Sequence, residues 1–136
     1  MKKIVTVLLV TALLAGCGVD ETSQTAQTTE NTSQEAYMNI TAEEAKNLMD
    51  TEDDYVILDV RTQEEYEEKH IPGAVLIPDT EIAQRAEQEL TDKDQLILVY
   101  CRSGRRSKLA SEELEKLGYT RIREFGGIID WPYETQ

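Results

Sequence analysis

From residue 37 onward, short apolar runs alternate with stretches in which apolar residues return every three or four positions. Leu96-Ile97-Leu98-Val99-Tyr100 is the clearest run, five consecutive β-forming residues, and predicts a strand buried on both faces. Tyr55-Val56-Ile57-Leu58 predicts a second such strand, and Tyr37–Ile40, Ala74–Ile77 (closed by Pro78) and Ile122–Phe125 predict shorter ones. Between them lie helical stripes. Ala42, Ala45, Leu48 and Met49 form one; Ile82, Ala83, Ala86 and Leu90 a second; Leu109, Ala110, Leu114 and Leu117, in a helix from Ser107 stopped by Gly118, a third. Thr41 with Glu44, and Thr62 with Glu65, make capping boxes, the latter opening a brief helix through about Lys69. His70-Ile71-Pro72-Gly73 and Gly126-Gly127 read as turns, and Ile128–Tyr133 closes the domain.

Strands alternating with helices predict an α/β fold: a mostly parallel central sheet with helices on both faces. Ligands of such sheets bind beyond the carboxyl ends of the strands. Asp59 and Cys101 each stand at such an end. There is no internal repeat.

The first 36 residues have a different pattern. Lys2 and Lys3 precede an apolar stretch from Ile4 to Leu14, and Leu14-Ala15-Gly16-Cys17 follows. The stretch is too short to span a bilayer, which takes about 20 apolar residues, and reads as an export signal over residues 1–16. Its ending resembles the lipobox of bacterial lipoproteins, which implies cleavage after Gly16 and acyl chains on Cys17. An ordinary cleaved signal or an uncleaved anchor is the alternative. Residues 17–36 are rich in Ser, Thr, Gln, Asn and Glu and nearly devoid of large apolar side chains. Such a segment cannot offset its own ordering entropy, so a polar tether is expected between the lipidation site and a domain over 37–136. The expected location is extracytoplasmic, held to the bacterial membrane by lipid.

The net charge of −13 becomes −15 once the signal, with Lys2, Lys3 and no acid, is removed. That balance argues against a nucleic-acid partner, and leaves membrane contact to the lipid alone. It also makes the arginines at 102, 105 and 106 a local reversal of sign. Beyond Cys17 the only cysteine is Cys101, so the domain forms no internal disulfide and carries one thiol.

That thiol sits in Cys101-Arg102-Ser103-Gly104-Arg105-Arg106-Ser107, between a strand end and a helix start. Unpaired backbone N–H groups, the helix dipole and the arginines all favour an anion there, which lowers a cysteine's pKa and makes it a nucleophile. Gly104 lets the backbone curl around the sulfur.

Three stretches resemble the rhodanese family of sulfurtransferases: Leu58-Asp59-Val60-Arg61, His70-Ile71-Pro72-Gly73-Ala74, and Cys101 through Ser107, with Gly126-Gly127 and Trp131 matching the family's closing segment. The resemblance covers residues 38–134 and implies a three-layer sandwich in which Cys101 carries a sulfane sulfur as a persulfide. It departs at Lys69, where the family usually has glycine. It further implies a small anionic donor such as thiosulfate, a thiol or cyanide as acceptor, with a redox partner protein as a further candidate, and no metal or organic cofactor. Arg106 and Arg105 are expected to attract the donor's oxyanions, Arg102 less so, with Ser103 and Gly104 completing the loop. The spacing Cys101–Arg106 is C-x4-R, one residue short of the C-x5-R that resembling phosphatases and arsenate reductases use. A non-catalytic carrier or docking module of the same fold is the remaining alternative.

Asp59 and Arg61 read as supporting residues, a carboxylate and its ion-pair partner, and His70 as a turn-stabilising residue, since a preformed thiolate needs no base. Trp131 reads as a core anchor for the terminus. One histidine and one free cysteine in the domain make a zinc site implausible.

Overall fold

The computed structural model describes residues 35–136; the expected signal, Cys17 and nearly all of the expected tether lie outside the described residues. Five strands, β1 (Tyr37–Asn39), β2 (Tyr55–Asp59), β3 (Val75–Leu76), β4 (Leu96–Cys101) and β5 (Ile122–Gly127), form one sheet in the order β1-β5-β4-β2-β3. Every pairing is parallel, so the sheet is wholly rather than mostly parallel. The helices are α1 (Ala42–Thr51), α2 (Gln63–Glu68), α3 (Ile82–Glu89) and α4 (Arg105–Lys116), with single 3-10 turns at Asp79–Glu81 and Ile128–Asp130.

Local chemistry starts these elements where the polar residues stand. Thr41 Oγ1 accepts the Glu44 N–H at 3.1 Å while Glu44 accepts the Thr41 N–H at 2.7 Å, and Thr62 and Glu65 repeat the arrangement at α2. Helix α4 has no side-chain cap; it begins from Gly104, whose φ of 105° is left-handed. It therefore starts at Arg105, two residues before the expected Ser107.

All six residues of β4 are buried, and their alternation divides the core. Ile97, Val99 and Cys101 face α3 and α4 through Ile82, Ala86, Ala110 and Leu114. Leu96, Leu98 and Tyr100 face the other way, toward Ala45, Ile71, Phe125 and Trp131. Two expected core positions are in fact outside. Leu109 is 53% exposed, because Ser107, Ala110, Ser111 and Leu114 define α4's inward stripe and Leu109 lies about 100° off it. Ala83 is exposed for the same reason, beside the buried Ile82 and Ala86.

The Gly126-Gly127 pair is not a separate turn but the end of β5. Val99 pairs with Glu124 and Cys101 with Gly127, so β5 carries one residue more than β4 across that interval. This is a β-bulge beside the end of the strand that holds the cysteine, with Gly126 at a φ of 88°.

Candidate active site

The loop after β4 closes around one sulfur atom. Cys101 is 1% exposed. The Gly104 N–H points at Cys101 Sγ from 3.0 Å, and Ser107 Oγ lies 3.4 Å from it. Burial pushes the thiol's pKa up, and this is the largest single influence. The Ser107 hydroxyl and the N–H groups of Ser107, Gly104 and Ser103 together outweigh it, leaving the thiol below its ordinary value. The stabilisation of the anion thus comes from hydrogen-bond donors rather than from a contacting cation.

Gly127 lets the loop sit this close. A Cβ there would stand 1.9 Å from the Arg102 carbonyl oxygen and 2.5 Å from Ser103 Cα. The Ile129 N–H also donates to Arg102 O at 3.3 Å, tying the loop to the 3-10 turn after β5.

The three arginines are not equivalent. Arg106 is engaged by Glu65, its Nη1 and Nη2 lying 2.7 and 2.9 Å from the two carboxylate oxygens. Hydrogen bonds from Arg106, with the Thr62 cap, hold the Glu65 carboxyl down at about 2. Arg105 is exposed. Arg102 is exposed and lines the opening beside the loop with Arg61, Lys69, Glu68, Ile128 and Ile129.

Asp59 and Arg61 form a buried pair on the sheet face opposite Cys101. Arg61 Nη2 lies 2.7 Å from Asp59 Oδ2 and donates to Lys69 O at 2.6 Å. Tyr100 donates to Asp59 Oδ2 at 2.6 Å and accepts the Ile71 N–H at 3.1 Å. Burial, and then Asp59, push the Tyr100 hydroxyl far above the usual phenol range. His70 stacks on Tyr66 with ring centroids 3.9 Å apart, and its backbone pairs with Gln136. These residues brace the segments around the site and make no contact with the sulfur.

Residues 41–132 match the family model described as a rhodanese-like domain. The chain belongs to this family. Thiosulfate sulfurtransferase PspE of Escherichia coli (strain K12) is 40% identical over 73 residues, 54% of this chain and 70% of PspE. YrkF of Bacillus subtilis (strain 168) is 41% identical over 98 residues, 71% of this chain and 52% of YrkF, so the chain spans about half of that relative. A solved structure, a rhodanese with anions from E. coli, superposes with a TM-score of 0.57 at 35% identity, covering 60% of this chain and 96% of that one. The chain is therefore a rhodanese-like domain with sulfurtransferase relatives.

In this rhodanese-like domain, Cys101, Ser103 and Gly104 come together at the sulfur, Arg102 lines the adjoining opening, Arg106 is paired with Glu65, and Arg105 is exposed at the start of α4. Cys17 lies outside the described residues. Two residues absent from the expected site touch it or its neighbour. Ser107 is 0% exposed and contacts the sulfur, while Glu124 is 2% exposed and accepts from Ser107 Oγ at 2.6 Å. Glu124 stands two positions after Ile122, on the same face of β5, so strand alternation alone aims a carboxylate at the apolar side that holds Cys101.

Proposed function

We propose that this protein is an extracytoplasmic, membrane-anchored sulfurtransferase in which Cys101 carries sulfane sulfur from a small anionic donor such as thiosulfate to a thiophilic acceptor. The observation that carries this reading is the ring of N–H groups converging on Cys101 Sγ, with Gly104 N at 3.0 Å. Such a ring favours a thiolate and then the anionic end of a persulfide. Cys101 attacks the donor's outer sulfur; the donor S–S bond breaks and sulfite leaves with its electron pair. An acceptor thiolate or cyanide then attacks that outer sulfur, and the Cys101 thiolate departs. Each half is a displacement at sulfur, so the cycle is ping-pong covalent catalysis without redox change overall.

The engagement of Arg106 by Glu65 shifts donor recognition to the exposed Arg102, with Lys69 across the same opening. The four intervening loop residues between Cys101 and Arg106 favour a single sulfur over a tetrahedral oxyanion. Cys17 carries the lipid and residues 17–36 form the tether in this reading, supported by the Leu-Ala-Gly-Cys ending and the polar composition after it.

Incubation with thiosulfate followed by intact mass measurement tests the chemistry. The expected result is an adduct of one sulfur atom that cyanide removes and that Cys101→Ser abolishes. No adduct from thiosulfate, polysulfide or a persulfide donor would leave a non-catalytic module instead. Mass measurement of the exported chain tests the anchor: acyl chains on Cys17 are expected, and an unmodified or absent Cys17 refutes it.

A further inference from the structure

Glu124 is a buried carboxylate that the sulfur-transfer cycle leaves unused. Oε1 accepts from Ser107 Oγ at 2.6 Å and from the Gly126 N–H at 2.7 Å, and Asn39 Nδ2 donates to Oε2. Among the described residues it forms no ion pair. A buried carboxylate held only by neutral donors is costly, and the bulge at Gly126 asks only for an acceptor, which an amide would supply as well.

Ser107 has a single proton and four neighbours that could receive it. Besides Glu124 Oε1, its Oγ lies 3.0 Å from Gly104 O, 3.3 Å from Gly126 O and 3.4 Å from Cys101 Sγ. With the proton directed at Glu124, the shortest of these contacts, Ser107 can only accept from Cys101, which requires an S–H. When Cys101 is a thiolate, the hydrogen bond it receives from the Ser107 hydroxyl requires the serine's proton to be turned to sulfur. Glu124 Oε1 then faces a serine oxygen at 2.6 Å with no hydrogen between them, unless the carboxyl supplies one. The three residues are 1%, 0% and 2% exposed, so bulk solvent has little access to the Ser107 oxygen between the two groups.

Resting on the reading of Cys101 as the sulfur carrier, we propose that Glu124 is a positioning residue that shares one proton with Cys101 through the Ser107 hydroxyl. In the forward direction the S–H bond breaks as its proton passes to Ser107 Oγ, and the serine's own proton passes to Glu124 Oε1. One negative charge moves from carboxylate to sulfur and no net charge enters the core. The reverse shift returns the proton to Cys101 when it departs from the persulfide as the sulfur moves to an acceptor. The thiolate is thereby formed without placing two anions on one hydroxyl.

Among the described residues, no other titratable side chain hydrogen-bonds Ser107 Oγ or Cys101 Sγ. From β1, Tyr37 and Asn39 line the groove behind the loop with Lys108 of α4 and Glu124 itself. Tyr37 is held above its ordinary value by burial and then by Glu124, Glu112 and Glu115, so it stays neutral. Arg106 of α4 feels the Cys101 and Asp79 charges but is paired with Glu65 of α2. Arg102 and Arg105 point from the loop into solvent.

The test follows Cys101 alkylation by iodoacetamide against pH on the full chain, read by mass spectrometry of the Cys101 peptide so that Cys17 does not contribute. Wild type is expected to show two coupled steps. Glu124→Gln keeps the shape and the acceptor for Gly126 but carries no proton. It is expected to show one step, at lower pH, with alkylation about threefold to tenfold faster on the acid side of the wild-type midpoint. Glu124→Asp is expected to restore two steps. Superimposable profiles for wild type and Glu124→Gln, with equal melting temperatures, would overturn the proposal and leave Glu124 as a cap for the bulge. Should Glu124→Gln fail to fold, carbon NMR of the wild-type Glu124 carboxyl decides the matter. Two steps are expected before Cys101 is alkylated and one afterwards; an identical titration in both refutes the sharing. Sulfur loading from thiosulfate is measured alongside. A chain that loads sulfur with an uncoupled profile loses only this proposal, and one with a coupled profile that never loads sulfur loses the assigned function.

Discussion

Replacing Gly127 by alanine brings a methyl group to 1.9 Å from Arg102 O, 2.3 Å from Arg102 C and 2.5 Å from Ser103 Cα. All three are backbone atoms, so no side-chain rotation relieves the clash. Ordinary contact begins near 3.4 Å, so the loop or the end of β5 must yield by about 1.5 Å. Overpacking of this kind costs about 1–3 kcal/mol, which lowers the melting temperature of a domain of about 100 residues by roughly 5–20 °C. The functional effect is larger than the structural one. A displacement of that size carries the Gly104 N–H beyond hydrogen-bond range of Cys101 Sγ, from its present 3.0 Å. Hydrogen bonds to a charged partner contribute about 1.5–3 kcal/mol, which at about 1.36 kcal/mol per unit raises the thiol pKa by roughly one to two units. The assay is the pH dependence of Cys101 alkylation, paired with a thermal melt. A Gly127→Ala protein that melts like wild type and whose alkylation midpoint does not move would refute the claim that the close approach of β5 holds the loop closed.

Asp59→Asn leaves Arg61, 4% exposed, without its anion, and is expected to cost about 3–5 kcal/mol in urea unfolding. The Cys101 alkylation profile of the folded variant should not change, because the pair lies on the other face of the sheet; a shifted profile would make Asp59 part of the thiol's environment. Glu65→Gln releases Arg106, and faster sulfur loading from an anionic donor is expected, with stronger dependence on salt. Since the Glu65 carboxyl sits at about 2 in the folded protein against a usual 4.5, the Glu65–Arg106 pair stabilises fully above pH 4.5 and fades as pH falls toward 2. The pair is partly exposed, so the wild-type advantage should stay under about 1 kcal/mol and vanish in acid. An equal difference between wild type and variant at pH 2 and pH 7 would contradict it.

Much of this architecture is legible in the order of residues because local rules and global fold agree. The run Leu96–Tyr100 becomes the central strand, and both capping boxes form as their spacing requires. What is not legible depends on register or on distant partners. A Gly-Gly pair reads locally as a turn; only the pairing of Val99 with Glu124 and Cys101 with Gly127 shows it as a bulge inside a strand. Arg106 looks free in the loop sequence, since Glu65 stands 41 positions away and its visible role is a helix cap. Leu109 and Ala83 fall within the apolar helical stripes that the sequence predicts, yet one helical step separates each from the residues that are buried.

Glu124 differs from these, because parity did carry the signal. Strand alternation through Ile122 points it at the face that holds Cys101, where a carboxylate has no apolar reason to be. Tyr100 and Cys101 make the complementary case within β4. Adjacent residues on opposite faces, they anchor two separate polar networks: Tyr100 with Asp59 and Arg61 bracing the scaffold, Cys101 with Ser107 and Glu124 holding the reactive group. The two networks share no hydrogen bond, so the first can stay rigidly paired while protons move in the second. A perturbation of one should therefore leave the titration of the other in place, which makes the unchanged thiol profile of Asp59→Asn and the altered profile of Glu124→Gln two halves of a single test.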